Sequence, residues 1–394
     1  MYSHNMTKAL IVGGGVAGPV TAMALQKSGI DATICEAYDR GADGVGAFLT
    51  LAVNGIAALG ALDLHAAVRD KGFATTKMSL GMGGKRPMAE FGFGAALPDG
   101  TGTQTITRAA LYGALRDEAV RRGIPIEYGK RLVNAAPEGD GVTAAFADGS
   151  SAHADLLIGA DGLRSTVRTI IDPKAPPPRY VPLLNTGGYA KGLRLDAEPG
   201  HMHMIFGRGC FYSYVVHPGG DVWWFANPRQ PEELSKQELA AVGEEQWRAK
   251  LLDLFAGEDG PARDLVDASD EIFAGWNTYD FPSVPTWHRD RMIIIGDAAH
   301  ATSPASGQGA SMAIEDAVTL AKCLRDAADV PAAFTAYESL RRTRVERVVA
   351  QGKRNGDGKT LGPVMRHVLP LIFKLRKPTP DAMDWMYGHR IDWD

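Results

Sequence analysis

A short apolar run, KALIV at 8–12, is followed directly by glycines at 13, 15 and 18, then by AGPVTAMALQKSG and a second strand-like run, DATICE at 31–36. In a chain with 46 glycines the spacing G-x-G-x-x-G carries little weight by itself. The order strand, glycines, helix, strand and terminal acid carries much more, because each part has a mechanical task. Gly13 permits a tight turn, Gly15 lets the backbone approach a pyrophosphate, and Gly18 lets helix and strand pack closely. Val16 and Ala17 open the helix, whose free N–H groups and dipole favour phosphate. Pro19 falls in the first turn, where its missing N–H costs little. Glu36 ends the second strand and is placed to accept from a ribose diol; an acid there disfavours a 2′-phosphate. The pattern predicts a parallel α/β sheet that holds a dinucleotide.

At 394 residues the chain exceeds the size of one hydrophobic core, so at least two domains are expected. A net charge of −4 gives no reason to expect nucleic acid or an anionic membrane as the main partner. The three cysteines, Cys35, Cys210 and Cys323, are isolated, which suits a reducing compartment. With no apolar run of spanning length and no signal-like N-terminus, the expected location is the cytoplasm.

Two later motifs extend the pattern. DLLIGADGLRSTVR at 155–168 reads as a buried strand that breaks at Gly159 and continues as Asp161-Gly162 with Arg164 and Arg168. RMIIIGDAAHATSPASGQGASMAIEDAV, starting at Arg291, is again a strand broken by Gly-Asp, followed by a glycine-rich loop and a helix beginning near Ser311, which Ser311 would cap. A simple nicotinamide dehydrogenase needs no such second element. A cofactor whose far half must be held away from its adenosine does.

In GGGVAG at 13–18, ADGLRSTVR at 160–168 and GDAAHATSP at 296–304, in that order, the chain resembles the single-component FAD-dependent aromatic-ring monooxygenases of the para-hydroxybenzoate hydroxylase fold, in the salicylate, urate and tetracycline branch. The likeness covers most of the chain, with no motif between about 175 and 280. It implies a Rossmann-like FAD-binding domain with an inserted, mostly antiparallel substrate sheet and C-terminal helices. The expected boundaries are 1–75, 101–175 and 275–340 for the FAD-binding parts, 76–100 for a hairpin joining the substrate sheet, 176–274 for that sheet, and 341–394 for the C-terminal segment. The cofactor set it implies is Gly13, Gly15, Val16, Ala17, Gly18, Glu36, Arg108, Asp161, Asp297, Pro304, Gly307, Gly309 and Ala310. Within it Asp161 and Gly162 shape the pyrophosphate turn, Arg164 or Arg168 offers charge to a phosphate, and Arg108 reaches the phosphates from a helix start. Asp297 would bond the ribityl chain, and the loop from Pro304 to Gly309 would lie beside the isoalloxazine. Many members carry Asn where this chain has Ser311.

The chemistry implied is oxygen transfer from O2 to an aromatic, phenolic or polycyclic molecule through a flavin C4a-hydroperoxide. The resemblance implies bound FAD and NAD(P)H as a transient reductant, with no separate NAD(P)H domain expected because no second dinucleotide fingerprint is present. Residues 40–51, RGADGVGAFLTL, are either a mobile gate beside the flavin or a plain solvent loop. Epoxidation and Baeyer–Villiger insertion use the same scaffold, and a flavoprotein that shields a reactive intermediate without turnover is an alternative. A halogenase is disfavoured because G-W-x-W-x-I-P is absent. His201 and His203 share a strand face but lack a third ligand, so no metal is expected.

Alternating strands at TGGYAKGLRL, HMHMIFG, GCFYSYVVH and DVWWFAN would roof the pocket. Candidate pocket residues are Met204, Tyr212, Tyr214, His217, Trp223 and Pro304; the catalytic residue is not identified. Period two puts half of each strand on the pocket face without saying which half. Apart from Arg194 and Arg208 these strands contain almost no fixed cation, which leans the substrate toward a neutral hydrophobic or polycyclic ring, such as a secondary metabolite or antibiotic. The run Arg341–Arg347 reads as a solvated helix face, and VLPLIFKL at 368–375 as a pocket cover or a dimer contact. The protein is expected to be a monomer or homodimer.

Overall fold

The computed structural model describes residues 7–39, 47–83, 87–359, 362–375 and 379–394. Most of the candidate gate, 40–46, lies outside the described residues; its end forms the strand Phe48–Leu51.

Lys8–Val12 is apolar on both faces and sits inside a six-stranded sheet, between Asp31–Cys35 and Leu156–Gly159. All three run parallel, as near-continuous apolar strands covered on both sides do. Met292–Ile294 extends the sheet in parallel beside Leu156–Gly159, and His288–Arg289 closes that edge antiparallel. This register brings the ends of the three sequence motifs side by side: Val12 pairs with Cys35 and Gly159, and Gly159 with Ile294. The helix Ala17–Lys27 packs on Gly309–Asp326, and the 29-residue helix Val330–Gly358 packs on the latter. Gly352 allows that long helix to reach the turn at 302–306, since a Cβ there would stand 2.8 Å from Thr302 Oγ1.

The stretch without motifs forms the larger sheet. Its central order is Arg179–Ala190, Val222–Asn227, Phe211–Val216 and His201–Phe206, all antiparallel. Lys77–Gly81 then adds in parallel to His201–Phe206, and Ala89–Gly92 pairs antiparallel with it. Lys77–Gly81 and Ala89–Gly92 thus form one edge of the sheet, joined to it in parallel. The far face of this sheet has its own core, built on Trp224, Trp247, Leu251 and Phe255.

Arg341 overturns one expectation. It is 1% exposed, and with Tyr337, Val345 and Val348 it forms the buried stripe of its helix. Glu315 and Asp316, on the helix Gly309–Asp326, are its buried partners. The helix Pro363–Leu375 exposes Val364, Leu371 and Leu375, and Arg366 ties it to the sheet through the carbonyls of Phe206 and Gly207. Among the described residues it does not cover the cavity; Met383 and Tyr387, farther along, do.

Candidate functional site

One cavity of about 650 Å3 runs from the ends of the parallel strands to the inner face of the large sheet. At its first end the backbone turns at Gly13 with φ +111°, and a Cβ there would lie 2.4 Å from the Ala160 carbonyl oxygen. The two early motifs therefore touch through a contact only glycine allows. Glu36 fixes the turn, accepting from Gly14 N at 2.7 Å and Tyr38 N at 3.0 Å. The helix Ala17–Lys27 begins without a side-chain cap, so its first N–H groups stay open, and Gly15, Val16 and Ala17 line the cavity.

Asp161 accepts from Thr166 N and Val167 N, which closes the second motif onto its own helix start, while its Oδ1 has no partner. Burial pushes its carboxyl above the usual range, against those hydrogen bonds. Gly162, not Asp161, lines the cavity. Neither arginine of this motif offers charge there. Arg168 is buried, donates to the carbonyls of Ala298 and Leu163, and lies 4.4 Å from the Phe281 ring. Arg164 is exposed. Arg108 does line the cavity, from the first turn of Arg108–Arg121, together with Tyr112.

The third motif supplies Asp297 and the loop Pro304–Ala310. Asp297 is exposed to the cavity, and desolvation by the surrounding walls raises its carboxyl, opposed by His300 and Arg108. Gly307 turns the loop with φ +63°. Ser311 is not the helix cap: the helix starts at Gly309, and Ser311 Oγ accepts from Ala52 N at 3.1 Å. It packs against Gly55, where a Cβ would have no room. His300 faces Asp316 and does not line the cavity.

On the sheet side, strand register decides which residues face inward. Met202, Met204 and Phe206 line the cavity; Phe211, Met78 and Leu80, paired across from Phe206, Met202 and Met204, and Phe225 one strand farther on, continue the surface. Tyr212 and Tyr214 are one residue out of phase and point to the opposite face. There Tyr212 is buried against Phe255, and Tyr214 stacks on His203 with centroids 4.7 Å apart. His201 and His203 stack at 4.4 Å on that same far face, where burial pushes His203 down to about 4. No cluster of three metal-ligating side chains occurs among the described residues. Trp223 lies on the inner face but beyond the cavity, stacked with His217 and packed on Phe73.

The cations missing from the strands arrive from a helix. Gln351, Arg354, Asn355 and Lys359 line the cavity, whereas Arg194 is exposed and Arg208 pairs with Asp259. The spacing 351, 355, 359 is a helical i, i+4 row, the one signal in the sequence that could have grouped them.

The first end fits a dinucleotide with an attached ring system. It offers open helix N–H groups, an arginine, a carboxylate and a glycine-rich loop, and the cavity-lining Thr302 hydroxyl and Gln308 amide nitrogen are buried without partners. The comparisons agree. Residues 6–352 match the family model described as FAD binding domain. An FAD-dependent urate hydroxylase of Klebsiella pneumoniae is 31% identical over 355 residues, covering 89% of this chain and 90% of that one. A 3-hydroxybenzoate 6-hydroxylase of Klebsiella oxytoca is 29% identical over 402 residues, covering 98% and 97%. The crystal structure of Klebsiella pneumoniae HpxO with FAD and uric acid superposes with a TM-score of 0.81 at 27% identity, covering 95% of this chain and 94% of that one.

Proposed function

The chain belongs to the FAD binding domain family, in its aromatic monooxygenase branch, and from that premise we propose that it hydroxylates an aromatic or phenolic small molecule inside this cavity, with NAD(P)H as electron donor and O2 as oxygen source. The observation that carries the reading is the continuity of the cavity: Gly15, Arg108, Asp297 and Pro304–Ala310 share one volume with Met202, Met204, Phe211 and Phe225. Bound there, FAD supplies the redox chemistry of the reaction. The protein's part is to hold and to exclude. The open N–H groups at Val16 and Ala17 and the Arg108 guanidinium take the pyrophosphate, Glu36 takes the adenosine ribose, and Asp297 takes the ribityl hydroxyls. The Pro304–Ala310 loop presents backbone N–H groups to the ring. Methionine and phenylalanine on the sheet lay an apolar surface over the substrate, which keeps water from the reacting atoms.

Two substitutions test the cofactor side. Glu36→Ala removes the acceptor for the diol and frees Gly14 N; flavin affinity should fall about tenfold or more, as losing a charged hydrogen-bond partner does. Asp297→Ala should produce a similar or larger loss, read as flavin retained after dialysis. Undiminished occupancy in either variant would count against that residue's role.

The function itself is tested by an absorption spectrum of the purified protein, then by NAD(P)H consumption under air with a panel of phenols and polycyclic enols. The expected result is a two-band flavin spectrum and compound-stimulated consumption, with a product heavier by one oxygen atom. Consumption that no compound stimulates would favour a shielding flavoprotein. A colourless protein that FAD cannot reconstitute would end the reading.

A further inference from the structure

Lys359 stands where the long helix ends, and its side chain reaches across to the large sheet. Its Nζ lies 4.5 Å from the Phe211 ring and 5.4 Å from the Phe225 ring, and donates to Asn227 Oδ1 at 2.6 Å. That amide is held from behind. Asn227 Nδ2 donates to the Leu184 carbonyl and to Asn185 Oδ1, and Asn185 Nδ2 donates to Thr278 Oγ1 at 2.7 Å. Asn185, Asn227 and Thr278 are all buried. A buried polar chain running through a sheet needs every member satisfied to be tolerated. This one ends by fixing a single ammonium against the cavity wall.

Among the described residues no carboxylate lies within ion-pair distance of Lys359. Asn227 takes one of its three protons, and the phenylalanine faces offer only quadrupole attraction. Among the described residues the charged side chains of the cavity lining are one carboxylate, Asp297, against Arg108, Arg354 and Lys359. Once Arg108 and Asp297 are assigned to the cofactor, the remaining charge is positive and comes from the helix that closes the sheet side.

We propose that Lys359 is the anion anchor of the substrate site, and that the preferred substrates carry an anionic oxygen, as carboxylate, phenolate or enolate, on a conjugated ring. The inference deepens the monooxygenase reading and rests on it for treating the sheet side of the cavity as the substrate site. Lys359 is half-buried, and desolvation by the apolar wall pushes its ammonium down to about 7, so the site disfavours its own charge until a counter-charge arrives. An anionic oxygen supplies that charge and takes the unused protons, while the ring lies on the methionine and phenylalanine surface. A helix-capping lysine would instead bond the carbonyls of its own last turn, and Lys359 donates to the sheet.

The test measures dissociation constants on the flavin-loaded enzyme by perturbation of its visible absorption. The probes are matched acid and amide pairs: benzoate and benzamide, salicylate and salicylamide, 2-naphthoate and 2-naphthamide. In at least one pair the acid should bind on the order of tenfold to a hundredfold more tightly, the size of one charge-assisted hydrogen bond. Lys359→Met should abolish that preference with flavin content unchanged, and Lys359→Arg should keep most of it. No acid preference in any pair, including failure of all to bind, overturns the proposal, as does a preference that survives Lys359→Met. Stimulated NAD(P)H consumption reports on the parent reading separately. Turnover of neutral rings without acid preference removes the anchor alone, and acid preference without stimulated consumption removes only the monooxygenase reading.

Discussion

Arg341→Met is expected to lower the stability of the protein by about 3–5 kcal/mol, the usual result of removing one partner from a buried ion pair. The guanidinium donates to Glu315 Oε2 at 2.5 Å and to Asp316 Oδ1 at 2.7 Å, with all three side chains at most 1% exposed. Methionine keeps much of the volume, so the loss measures stranded charge more than a cavity. Arg344 still reaches Glu315 at 2.8 Å and His300 still faces Asp316, which keeps the effect at the scale of one lost partner. The damage should also reach the cofactor. Asp316 Oδ2 accepts from Gly296 N at 2.8 Å, one residue before the cavity-lining Asp297, so a displaced Asp316 moves that turn. Denaturant titration of wild type and variant, each saturated with FAD, reads the difference. A loss under about 1 kcal/mol would show that the pair is nearly neutral against an apolar replacement.

The same cluster sets an acid limit. Burial raises both carboxyls, yet the arginines outweigh it at Glu315 and His300 with Arg341 outweigh it at Asp316, leaving both near about 2. Their unperturbed values are 4.5 and 3.8, so the unfolded chain takes up protons first as pH falls. Their contribution is complete above about pH 4.5 and is lost progressively toward pH 2. Arg341→Met raises both folded values, so its stability should fall less steeply through that window. An unchanged acid slope in the variant would show that these carboxylates do not govern it.

How much could be read beforehand depended on range along the chain. Gly13, Gly15, Gly18 and Glu36 form a pattern complete within some 25 residues, and neighbouring residues decide its geometry. The sheet was legible as a set of strands, but its inner face was not: alternation makes Met204 and Tyr214 alternatives, and the choice falls to the helix-backed core on the far side. Arg341 escapes a local reading because its partners lie on another helix, 25 and 26 residues earlier. A clue existed, since Phe334, Tyr337, Arg341, Val345 and Val348 follow helical spacing, which put the arginine on an apolar stripe. For Lys359 the i, i+4 spacing with Gln351 and Asn355 marks a shared helix face but not what that face meets. Its place depends on how the end of a 29-residue helix docks against a sheet assembled from distant segments.

The second large effect separates two glycines that the fingerprint treats alike. A Cβ on Gly18 would lie 2.0 Å from the Gly13 carbonyl oxygen, a collision with backbone that no rotamer relieves. Gly18→Ala must therefore push the helix Ala17–Lys27 away from the turn, costing about 1–3 kcal/mol as overpacking does. It should weaken flavin binding as well, because the open N–H groups move with the helix. At Gly15 nothing stands within 4 Å of the corresponding Cβ, and that residue lines the cavity. Gly15→Val should leave the flavin-free protein folded and close to wild type in denaturant midpoint, while flavin retention drops by about tenfold or more, because the side chain fills the space through which a pyrophosphate must approach. Measuring stability without FAD and retention with it, for both variants, divides the motif into a packing glycine and a binding glycine. If Gly15→Val kept its flavin, the pyrophosphate would have to lie elsewhere. If Gly18→Ala lost flavin without losing stability, the contact with Gly13 would matter for binding alone.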